Sequence, residues 1–230
     1  MIVLYTTERD YPWGTLRSTH ASKVKIVLEE KRIPYRIENL PPGHLWKKPP
    51  EMLARHPLGK VPYIEDDGLT IFDSTVINEY LEDRYGPPRL MPDDPIARGR
   101  VRELEQFADE AILAGDLPPI WMPYWSEPQK RDKEWMEKGR DGLRGRDLPY
   151  IEKMLGIAAG ADGYLCGAFT MADVPMMVLA MVLEVDAPDL SAFPGVERYL
   201  KRLRERKSYR AISPRTKVAE ASSLSPTAVA

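Results

Sequence analysis

The chain has 230 residues, of which 43% are hydrophobic and 30% are charged. That composition is typical of a globular protein with one large or two smaller cores, and it excludes an intrinsically disordered chain. The 33 basic residues are balanced by 35 acidic ones, which excludes a uniformly basic surface of the kind that binds nucleic acid.

Cysteine and histidine are too few and too scattered for the common metal and redox motifs. Cys166 is the single cysteine, so an internal disulfide and a CxxC motif are both excluded. We expect it to be a small, buried, apolar residue. The three histidines lie in separate segments without the spacing of metal ligands, so no metal is expected.

Hydropathy gives no sign of a membrane segment. The longest apolar run, residues 174–183, is far shorter than the roughly 18 residues that span a bilayer. Glu8 comes too early in the chain for the apolar core of a signal peptide. We therefore expect a cytoplasmic protein that binds neither membranes nor nucleic acid.

The first 86 residues alternate between strand and helix patterns. Strands are predicted at 2–5, 35–40, 61–65 and 69–72, and helices at 22–32, 51–55 and 74–85. Asp66-Asp67-Gly68 predicts a hairpin turn, Gly86 predicts a left-handed end to the last helix, and residues 6–19 are predicted to be a loop. The order β-α-β-α-β-β-α indicates a small α/β domain.

Only helical patterns follow the proline-rich linker 87–95. Helices are predicted at 96–114, 131–154, 173–185 and 196–206, which together form an all-helical domain over residues 96–212. Glycines 139, 142 and 145 interrupt the second helix. Thr170 and Asp173 predict a capping box before the third helix, and Pro175 predicts a kink in it. Residues 213–230 are expected to be disordered.

Two short motifs point to a binding site. Pro62 stands at the head of a predicted strand, although proline cannot donate to a sheet ladder. It either occupies an edge position or follows a cis bond that turns the backbone of Val61 toward a peptide ligand. Asp73 and Ser74 precede a helix, where they cap it, bind the charged ends of an amino acid, or do both.

In their order and spacing, these motifs resemble the cytosolic glutathione transferase family, in particular its serine-type, bacterial-like members. The resemblance rests on Ser18-x5-Val24, on the run from His56 to Pro62, on Asp73-Ser74, and on Phe169 to Asp173 before the buried helix. It covers roughly residues 1–212. It implies a thioredoxin-like α/β N-terminal domain over residues 1–86, an all-α domain after it, a homodimer, and glutathione as co-substrate.

The resemblance also implies which residues bind glutathione. The backbone of Val61, before a cis Pro62, would pair with the cysteinyl unit, and Asp73 and Ser74 would hold the γ-glutamyl end. The basic side chains that would face the glycine carboxylate are Lys60 and either Lys48 or Lys47.

Ser18 is the residue that would face the sulfur, although Thr19 follows it where the family usually has proline. A thiol with a pKa near ~8.5 needs about 2.7 kcal/mol of preferential thiolate stabilisation to titrate near ~6.5. One hydroxyl hydrogen bond to a charged sulfur supplies about 1.5–3 kcal/mol, and a helix N-terminus adds a fraction more. Alternatively, Ser18 or Ser22 only caps the helix, and Thr19, Tyr5 and Tyr11 are rival donors.

Five aromatic residues are candidates for the pocket of a second substrate. Trp121, Tyr124 and Trp125 lie in a stretch whose prolines are expected to prevent a regular helix. With Tyr11 and Trp13 they are predicted to line an apolar cleft, although packing between helices accounts for them equally well.

The sequence therefore predicts an enzyme that conjugates the glutathione thiolate to a hydrophobic, preferentially aromatic, electrophile. The alternatives are glutathione-dependent ether cleavage, dehalogenation, isomerisation or peroxidase activity on the same fold. A non-catalytic binding or regulatory protein is a further alternative, since a fold alone does not fix a function.

Overall fold

The computed structural model describes residues 1–41, 47–157 and 163–218. The chain forms two compact units. One comprises Met1–Pro88 together with the chain from Arg210 onward, and the other comprises Arg89–Tyr209.

The first unit is a thioredoxin-like α/β domain, and the predicted order of its main elements is confirmed. The strands are β1 (Ile2–Thr6), β2 (Glu8–Tyr11), β3 (Gly14–Arg17), β4 (Tyr35–Asn39), β5 (Tyr63–Asp66) and β6 (Leu69–Phe72). The helices are α1 (Thr19–Glu30), α2 (Pro50–Arg55) and α3 (Ser74–Arg84). The main sheet has the order β4-β1-β5-β6, with β1 parallel to β4 and the other neighbours antiparallel.

Strand β1 is the centre of this sheet and is buried along its whole length. Alternate residues of a strand point to opposite faces. Val3 and Tyr5 pack with Met52 of α2 and Tyr63 of β5 on one face. Ile2 and Leu4, on the opposite face, are fully buried as well, which explains the continuous apolar pattern of this strand.

The prediction of a loop over residues 6–19 is wrong, because β2 and β3 form a separate two-stranded hairpin there. Its turn includes Gly14, whose φ of 132° is a conformation that L side chains rarely adopt. The hairpin was missed because most of its buried positions are polar: Glu8, Thr15 and Arg17 are buried, and Leu16 is the apolar residue among them. An apolar alternation, which is the usual signal of a half-buried strand, is therefore absent.

Two predicted turns have different outcomes. The β5–β6 hairpin turn is confirmed, with Asp67 and Gly68 both at positive φ, as a type I′ turn requires. The left-handed end predicted at Gly86 is wrong, because the chain leaves α3 in an extended conformation at Tyr85, with φ −111° and ψ 138°.

The second unit is helical. Its α-helices are α4 (Pro95–Phe107), α5 (Leu117–Trp121), α6 (Lys133–Gly142), α7 (Leu148–Ile157), α8 (Val174–Asp186) and α9 (Pro194–Arg204). Wider π-helical turns, Ala108–Asp116 and Leu143–Asp147, continue α4 and connect α6 to α7. No helix in the described ranges is both long and apolar enough to cross a membrane.

The prolines of residues 117–125 do not prevent a helix, so that prediction is wrong. Pro118 and Pro119 lie in the first turn of α5, and a 3₁₀ turn, Met122–Trp125, follows directly. Proline is tolerated in a first turn, because the N–H groups there have no partner inside the helix.

The glycines at 139 and 142 do not interrupt α6 either. They let it approach α5 closely: a Cβ atom on Gly139 would lie 2.6 Å from the backbone oxygen of Asp116, and one on Gly142 would collide with the Asp116 carboxylate. Two of the three glycines that we predicted to interrupt the helix therefore make close helix packing possible.

The capping box before α8 is confirmed. Asp173 Oδ2 accepts from the backbone N–H of Thr170 at 2.8 Å, and Thr170 caps the turn in return. The kink predicted at Pro175 is wrong, because α8 begins at Val174 and Pro175 occupies its first turn, where no hydrogen bond is lost. Helix α8 is buried from Val174 to Leu183.

Asp116 and Asp147 form a carboxylate pair between the two π-helical turns. This pair gives a prediction about the pH dependence of stability. Burial and the neighbouring Asp116 raise the pKa of Asp147 to about 6, although Arg146 donates to it at 2.7 Å. Because the folded state binds this proton more tightly than the unfolded state, the contribution to stability falls as pH rises through 6. Its loss between pH 5 and pH 7.5 amounts to about 1 kcal/mol.

We expect Asp147→Asn to remove this contribution. Urea unfolding at pH 5.0 and 7.5 should give a smaller difference between the two pH values for the variant than for the wild type. An identical pH difference in the two proteins would contradict the assignment.

Candidate active site

Ser18 lies at the N-terminus of α1, which begins three residues earlier than predicted, at Thr19. Its Oγ accepts from the backbone N–H of Ala21 at 3.3 Å, so Ser18 is the N-cap. Ser22 is buried inside the helix and donates to the backbone oxygen of Ser18 at 2.9 Å, so its predicted role as the cap is wrong. A hydroxyl that accepts one hydrogen bond still carries its own proton, which leaves Ser18 a donor as well as a cap.

Two of the rival donors have hydroxyl groups with defined partners. Tyr5 donates to Glu65 Oε2 at 2.9 Å, and its ring stacks on that of Tyr63. Burial, followed by this carboxylate, raises the pKa of Tyr5. Thr19 Oγ1 lies 3.3 Å from His20 Nδ1. Of these hydroxyl groups and that of Ser18, only the Ser18 hydroxyl caps α1.

Val61 and Pro62 precede β5 and lie outside its ladder, in which Tyr63 is the first paired residue. The bond between them is cis, as the resemblance implies. The half-buried Val61 side chain packs against the cluster that contains Met52 and Tyr63. The main chain at Val61 is thus held in place from one side while it remains unpaired with the sheet.

Asp73 and Ser74 begin α3 in an unusual conformation. Asp73 has a φ of 72°, a value that costs free energy for a residue other than glycine and is often found at functional sites. Its Oδ1 accepts from the backbone N–H groups of Thr75 at 3.0 Å and Val76 at 3.2 Å. The predicted capping role is confirmed. The Asp73 carboxylate is exposed, and Ser74 is 3% exposed.

A buried lysine ties the first turn of α3 to α1. Lys23 is fully buried and donates from Nζ to Thr75 Oγ1 at 2.9 Å. Because Lys23 lies little more than one turn after Ser18, this bond sets the N-terminus of α1 beside that of α3. Partial positive charge accumulates at both helix N-termini, which favours anionic groups there.

His56 is a residue of this region for which we predicted no role beyond its place in the motif. It is 5% exposed, its ring lies 4.7 Å from that of Phe72, and its Nδ1 accepts from the backbone N–H of Leu58 at 3.2 Å. Burial and the nearby Lys60 lower the pKa of His56, whereas Asp73 opposes that effect. The imidazole is therefore neutral at pH 7 and lies among the charged groups predicted for the site.

The two predicted lysines lie beside the turn that contains Gly59. Lys48 donates from Nζ to the backbone oxygen of Leu58 at 2.7 Å, and its side chain crosses directly over Gly59. Gly59 has a φ of 55°, and a Cβ atom there would lie 2.6 Å from Lys48 Cδ. Lys60 is exposed. The turn thus places Lys48, Lys60 and Asp73 near His56.

The hairpin before Ser18 is held by residues 212–218, which we call the C-terminal strap. The buried Arg17 donates to the backbone oxygen of Ser213 at 2.8 Å and of Thr216 at 2.6 Å. The Thr15 N–H donates to the Pro214 oxygen at 2.8 Å. The prediction of disorder is therefore wrong for residues 213–218, and residues 219–230 lie outside the described part of the chain.

The charge of Arg17 is shared with two other buried side chains. Glu8 lies 3.4 Å from Arg17 Nε and 2.7 Å from Lys25 Nζ, and all three side chains are fully buried. The Glu8 carboxylate thus lies beside two cations, and Arg17 also donates to carbonyl groups of the strap. The position of the hairpin depends on this cluster.

The five aromatic candidates do not share one environment. In the first unit, Tyr11 and Trp13 stack at the tip of the hairpin, with ring centroids 5.0 Å apart. In the second unit, Trp121 is 3% exposed, which favours the packing alternative for that residue. Tyr124 and Trp125 are half-buried.

Tyr124 is fixed by a partly buried ion pair. Its hydroxyl donates to Asp186 Oδ1 at 3.0 Å, and Arg140 donates to the same carboxylate from two nitrogens at 2.6 and 2.9 Å. Burial and Asp186 raise the pKa of Tyr124 to about 12. The Arg131 guanidinium lies 4.2 Å from the centre of its ring. Tyr124 is therefore a fixed, neutral aromatic surface at neutral pH.

Neither a metal cluster nor a reactive thiol belongs to this region. Within the described ranges, no group of three or more His, Cys, Asp or Glu side chains is placed to hold a metal ion. Cys166, which we expected to be buried, is half-buried and lies in the wall of a cavity in the second unit. Burial raises the pKa of its thiol.

A family model and a similar protein both point to the same family. The family model of the glutathione S-transferase N-terminal domain matches residues 14–89. Glutathione S-transferase U8 of Arabidopsis thaliana is 32% identical over 164 residues, which cover 68% of this chain and 70% of that protein. The stringent starvation protein A homolog of Pasteurella multocida is 27% identical over 197 residues, which cover 83% of each.

A solved structure agrees in fold. The glutathione S-transferase of Methylobacillus flagellatus, crystallised with glutathione bound, superposes with a TM-score of 0.71 at 24% identity. The superposition covers 93% of this chain and 100% of that one. With a thioredoxin-like unit, a helical unit and these similarities, the chain belongs to the glutathione S-transferase family.

Proposed function

We propose that this protein is a transferase that binds glutathione in its first unit and conjugates the thiolate to a hydrophobic, preferentially aromatic, electrophile. The observation that carries the proposal is the clustering of the predicted binding residues. The exposed Asp73 carboxylate, Lys60 and Lys48 all lie close enough to His56 to affect its pKa. Opposite charges so placed suit a tripeptide that has one ammonium and two carboxylate groups.

Each end of glutathione then has a chemically matched partner. Asp73 accepts from the γ-glutamyl ammonium group, while Ser74 and the N-terminus of α3 favour the neighbouring carboxylate. Lys60 and Lys48 face the glycine carboxylate. The unpaired backbone at Val61 pairs with the cysteinyl unit. These contacts fix the cysteine, so that its sulfur comes to the N-terminus of α1.

Ser18 activates the thiol in this proposal. Its hydroxyl donates a hydrogen bond to the sulfur. This hydrogen bond is stronger when the sulfur is charged, so the thiolate is favoured over the thiol. The N-terminal dipole of α1 acts in the same direction. The thiol proton passes to solvent and the thiolate attacks an electrophilic carbon. The sulfur–carbon bond forms as a leaving group departs with its electron pair, or as a double bond opens and its second carbon takes up a proton from solvent. Holding both reactants together lowers the barrier further.

The conjugation of 1-chloro-2,4-dinitrobenzene, an activated aryl halide, tests this function. We expect the thioether product to form at a rate that saturates with both substrates and depends on the enzyme concentration. Glutathione binding without turnover of this or other aryl, epoxide or enone electrophiles would instead favour a non-catalytic role.

Variants of Asp73 should separate capping from ligand binding. Asn is also a good N-cap and tolerates positive φ, so Asp73→Asn should keep the thermal stability and weaken glutathione binding about tenfold or more, since the charge-assisted bond is lost. Asp73→Ala should weaken binding similarly and also destabilise the fold by about 1 kcal/mol. Wild-type affinity in Asp73→Asn, measured by calorimetry, would show that the carboxylate only caps α3.

For the second substrate, we propose that Tyr124 and Trp125 of the helical unit contribute to the pocket. Trp125→Ala should lower kcat/KM for an aryl electrophile about tenfold, the usual effect of removing apolar contact area, and leave the affinity for glutathione unchanged. Trp135→Ala is the matched control, because Trp135 is an exposed residue of α6. Unchanged kinetics in Trp125→Ala would remove that residue from the pocket.

The proposal includes a cytoplasmic homodimer, as the family resemblance implies. Exposed apolar side chains on the edge strand β6 and on α3, namely Leu69 and Val76, support a contact between subunits, because such side chains often mark interfaces.

A further inference from the structure

The turn that follows α2 carries both of the cations that we assign to the glycine end of glutathione. Lys48 donates from Nζ to the backbone oxygen of Leu58 at 2.7 Å, and its side chain crosses over Gly59. Lys60 comes directly after Gly59, which has a φ of 55°. The positions of Leu58 and Gly59 therefore set where the two ammonium groups lie.

His56 holds this turn with its side chain as well as with its backbone. Its N–H donates to the Met52 oxygen at 2.8 Å, and its own oxygen accepts from the Gly59 N–H at 2.7 Å. Any residue other than proline can make these two bonds. The third bond is specific to the side chain, because Nδ1 of the ring accepts from the Leu58 N–H at 3.2 Å.

Leu58 depends on hydrogen bonds for its position. It is 59% exposed, so apolar packing contributes little to holding it. Its N–H donates to His56, and its oxygen accepts from Lys48. A turn without the ring acceptor would lose the bond that orients Leu58, and the contact with Lys48 would lose its fixed partner.

The imidazole of His56 is held in one orientation and one tautomer. It is buried, and its ring lies 4.7 Å from that of Phe72. A ring nitrogen that accepts from an N–H carries no proton, so the proton of the neutral ring is on Nε2. The nitrogen that faces the turn is therefore an acceptor at neutral pH.

We infer that His56 is a positioning residue for the glycine carboxylate of glutathione. Its Nδ1 fixes Leu58, and the turn so fixed holds Lys48 and Lys60 where one carboxylate can accept from both. The inference rests on the proposed function and deepens it, because it names the side chain that sets the selectivity for a charged glycine end. His56 has no part in activating the sulfur.

Two variants separate the roles of the two ring nitrogens. The Oδ1 atom of asparagine occupies the same place along the side chain as Nδ1, whereas the amide of glutamine lies further out, at the place of Nε2. His56→Asn should therefore keep an acceptor for the Leu58 N–H, and His56→Gln should lose it. Both replacements are polar and neutral, so each is the matched control of the other.

The experiment compares glutathione with its glycine ethyl ester, which carries an ethyl group in place of the charge at that end. Calorimetric titrations use the full-length protein at pH 7. We expect the wild type to bind glutathione at least about tenfold more tightly than the ester, the gain typical of a charge-assisted contact. His56→Asn should keep this preference.

His56→Gln should reduce the preference to about twofold or less by weakening the binding of glutathione, since the ester does not depend on the two lysines. A general loss of structure would instead weaken both ligands equally and leave the preference unchanged. The ratio of the two affinities thus reports positioning and not stability.

The outcomes separate this inference from the proposed function. If the wild type binds neither ligand, the proposed function fails and the inference fails with it. If the wild type binds glutathione, the inference alone is overturned by equal affinities for the two ligands, by a preference that survives His56→Gln, or by one that is lost in His56→Asn. Nitrogen NMR of the wild-type imidazoles needs no variant: we expect the His56 proton on Nε2, and a proton on Nδ1 would overturn the inference.

Discussion

Replacing Ser18 with alanine is expected to raise the thiol pKa of bound glutathione by about one to two units and to leave its affinity within a few-fold. The hydroxyl bond to a charged sulfur supplies about 1.5–3 kcal/mol of thiolate stabilisation, and each 1.4 kcal/mol shifts the pKa by about one unit. At a pH below both the wild-type and the new pKa, the thiolate fraction and kcat therefore fall about tenfold to 100-fold. An ultraviolet titration of the thiolate in the binary complex measures the shift directly.

The capping role of Ser18 requires a control, because alanine removes the cap as well as the donor. Ser18→Thr keeps both functions and should retain a low thiol pKa, whereas Ser18→Asp keeps only the cap and should raise the pKa further through charge repulsion. Thr19→Val tests the neighbouring rival donor and should leave the titration unchanged. A wild-type thiol pKa in Ser18→Ala, or a raised one in Thr19→Val, would contradict the assignment to Ser18.

Arg17→Met is expected to destabilise the first unit by about 3–5 kcal/mol, because it removes two hydrogen bonds from a charged donor, at about 1.5–3 kcal/mol each. Methionine cannot donate to the oxygens of Ser213 and Thr216, which would be left buried without their partner. The C-terminal strap should detach, and the hairpin that precedes Ser18 should lose its support. Urea unfolding monitored by circular dichroism measures the change in the free energy of unfolding.

Arg9→Met is the matched control for this experiment. Arg9 is exposed on the same hairpin, with its guanidinium 5.7 Å from the centre of the Tyr11 ring. Its loss should change the free energy of unfolding by no more than about 0.5 kcal/mol. If the urea unfolding curves of Arg17→Met and Arg9→Met had the same midpoint, the buried cluster would not hold the strap.

The α/β order of the first unit was predictable because its buried strands and helices carry apolar residues at regular spacing. Strand β1 and the residues Val24, Val27 and Leu28 of α1 are examples. The β2–β3 hairpin was not predictable, because most of its buried side chains are polar, namely Glu8, Thr15 and Arg17. These residues are polar, and partners distant in the chain make their burial possible.

The helical unit shows the limits of local rules about proline and glycine. Pro118, Pro119 and Pro175 fall in first turns, where proline costs nothing, and a shift of a few residues in a predicted boundary is enough to change the conclusion. Gly139 and Gly142 were expected to interrupt a helix. Glycine is required at both positions because Asp116 lies so close that a Cβ atom would collide with it. That contact depends on tertiary packing, which single-sequence patterns do not report.

The candidate site was predictable where a motif and a helix start coincide, as at Asp73 and Ser18. The environment of His56 was not predictable, because its pKa depends on Lys60 and Asp73, which approach it only through the folded turn. The strap was missed for a related reason. Its residues are small and polar, and what orders them is the buried Arg17, almost 200 residues earlier in the chain.

Calorimetric titration of glutathione, combined with an ultraviolet titration of its thiol in the complex, tests the central proposal most directly. We predict saturable binding with a Kd between about 1 μM and 1 mM, the range usual for enzyme substrates. The bound thiol should titrate near pH 6.5, about two units below the free value. S-methylglutathione, which has no thiol proton, should bind without the proton release that accompanies glutathione. No binding at about 5 mM, or binding with an unshifted thiol pKa near 8.5, would contradict the proposal that this chain activates glutathione.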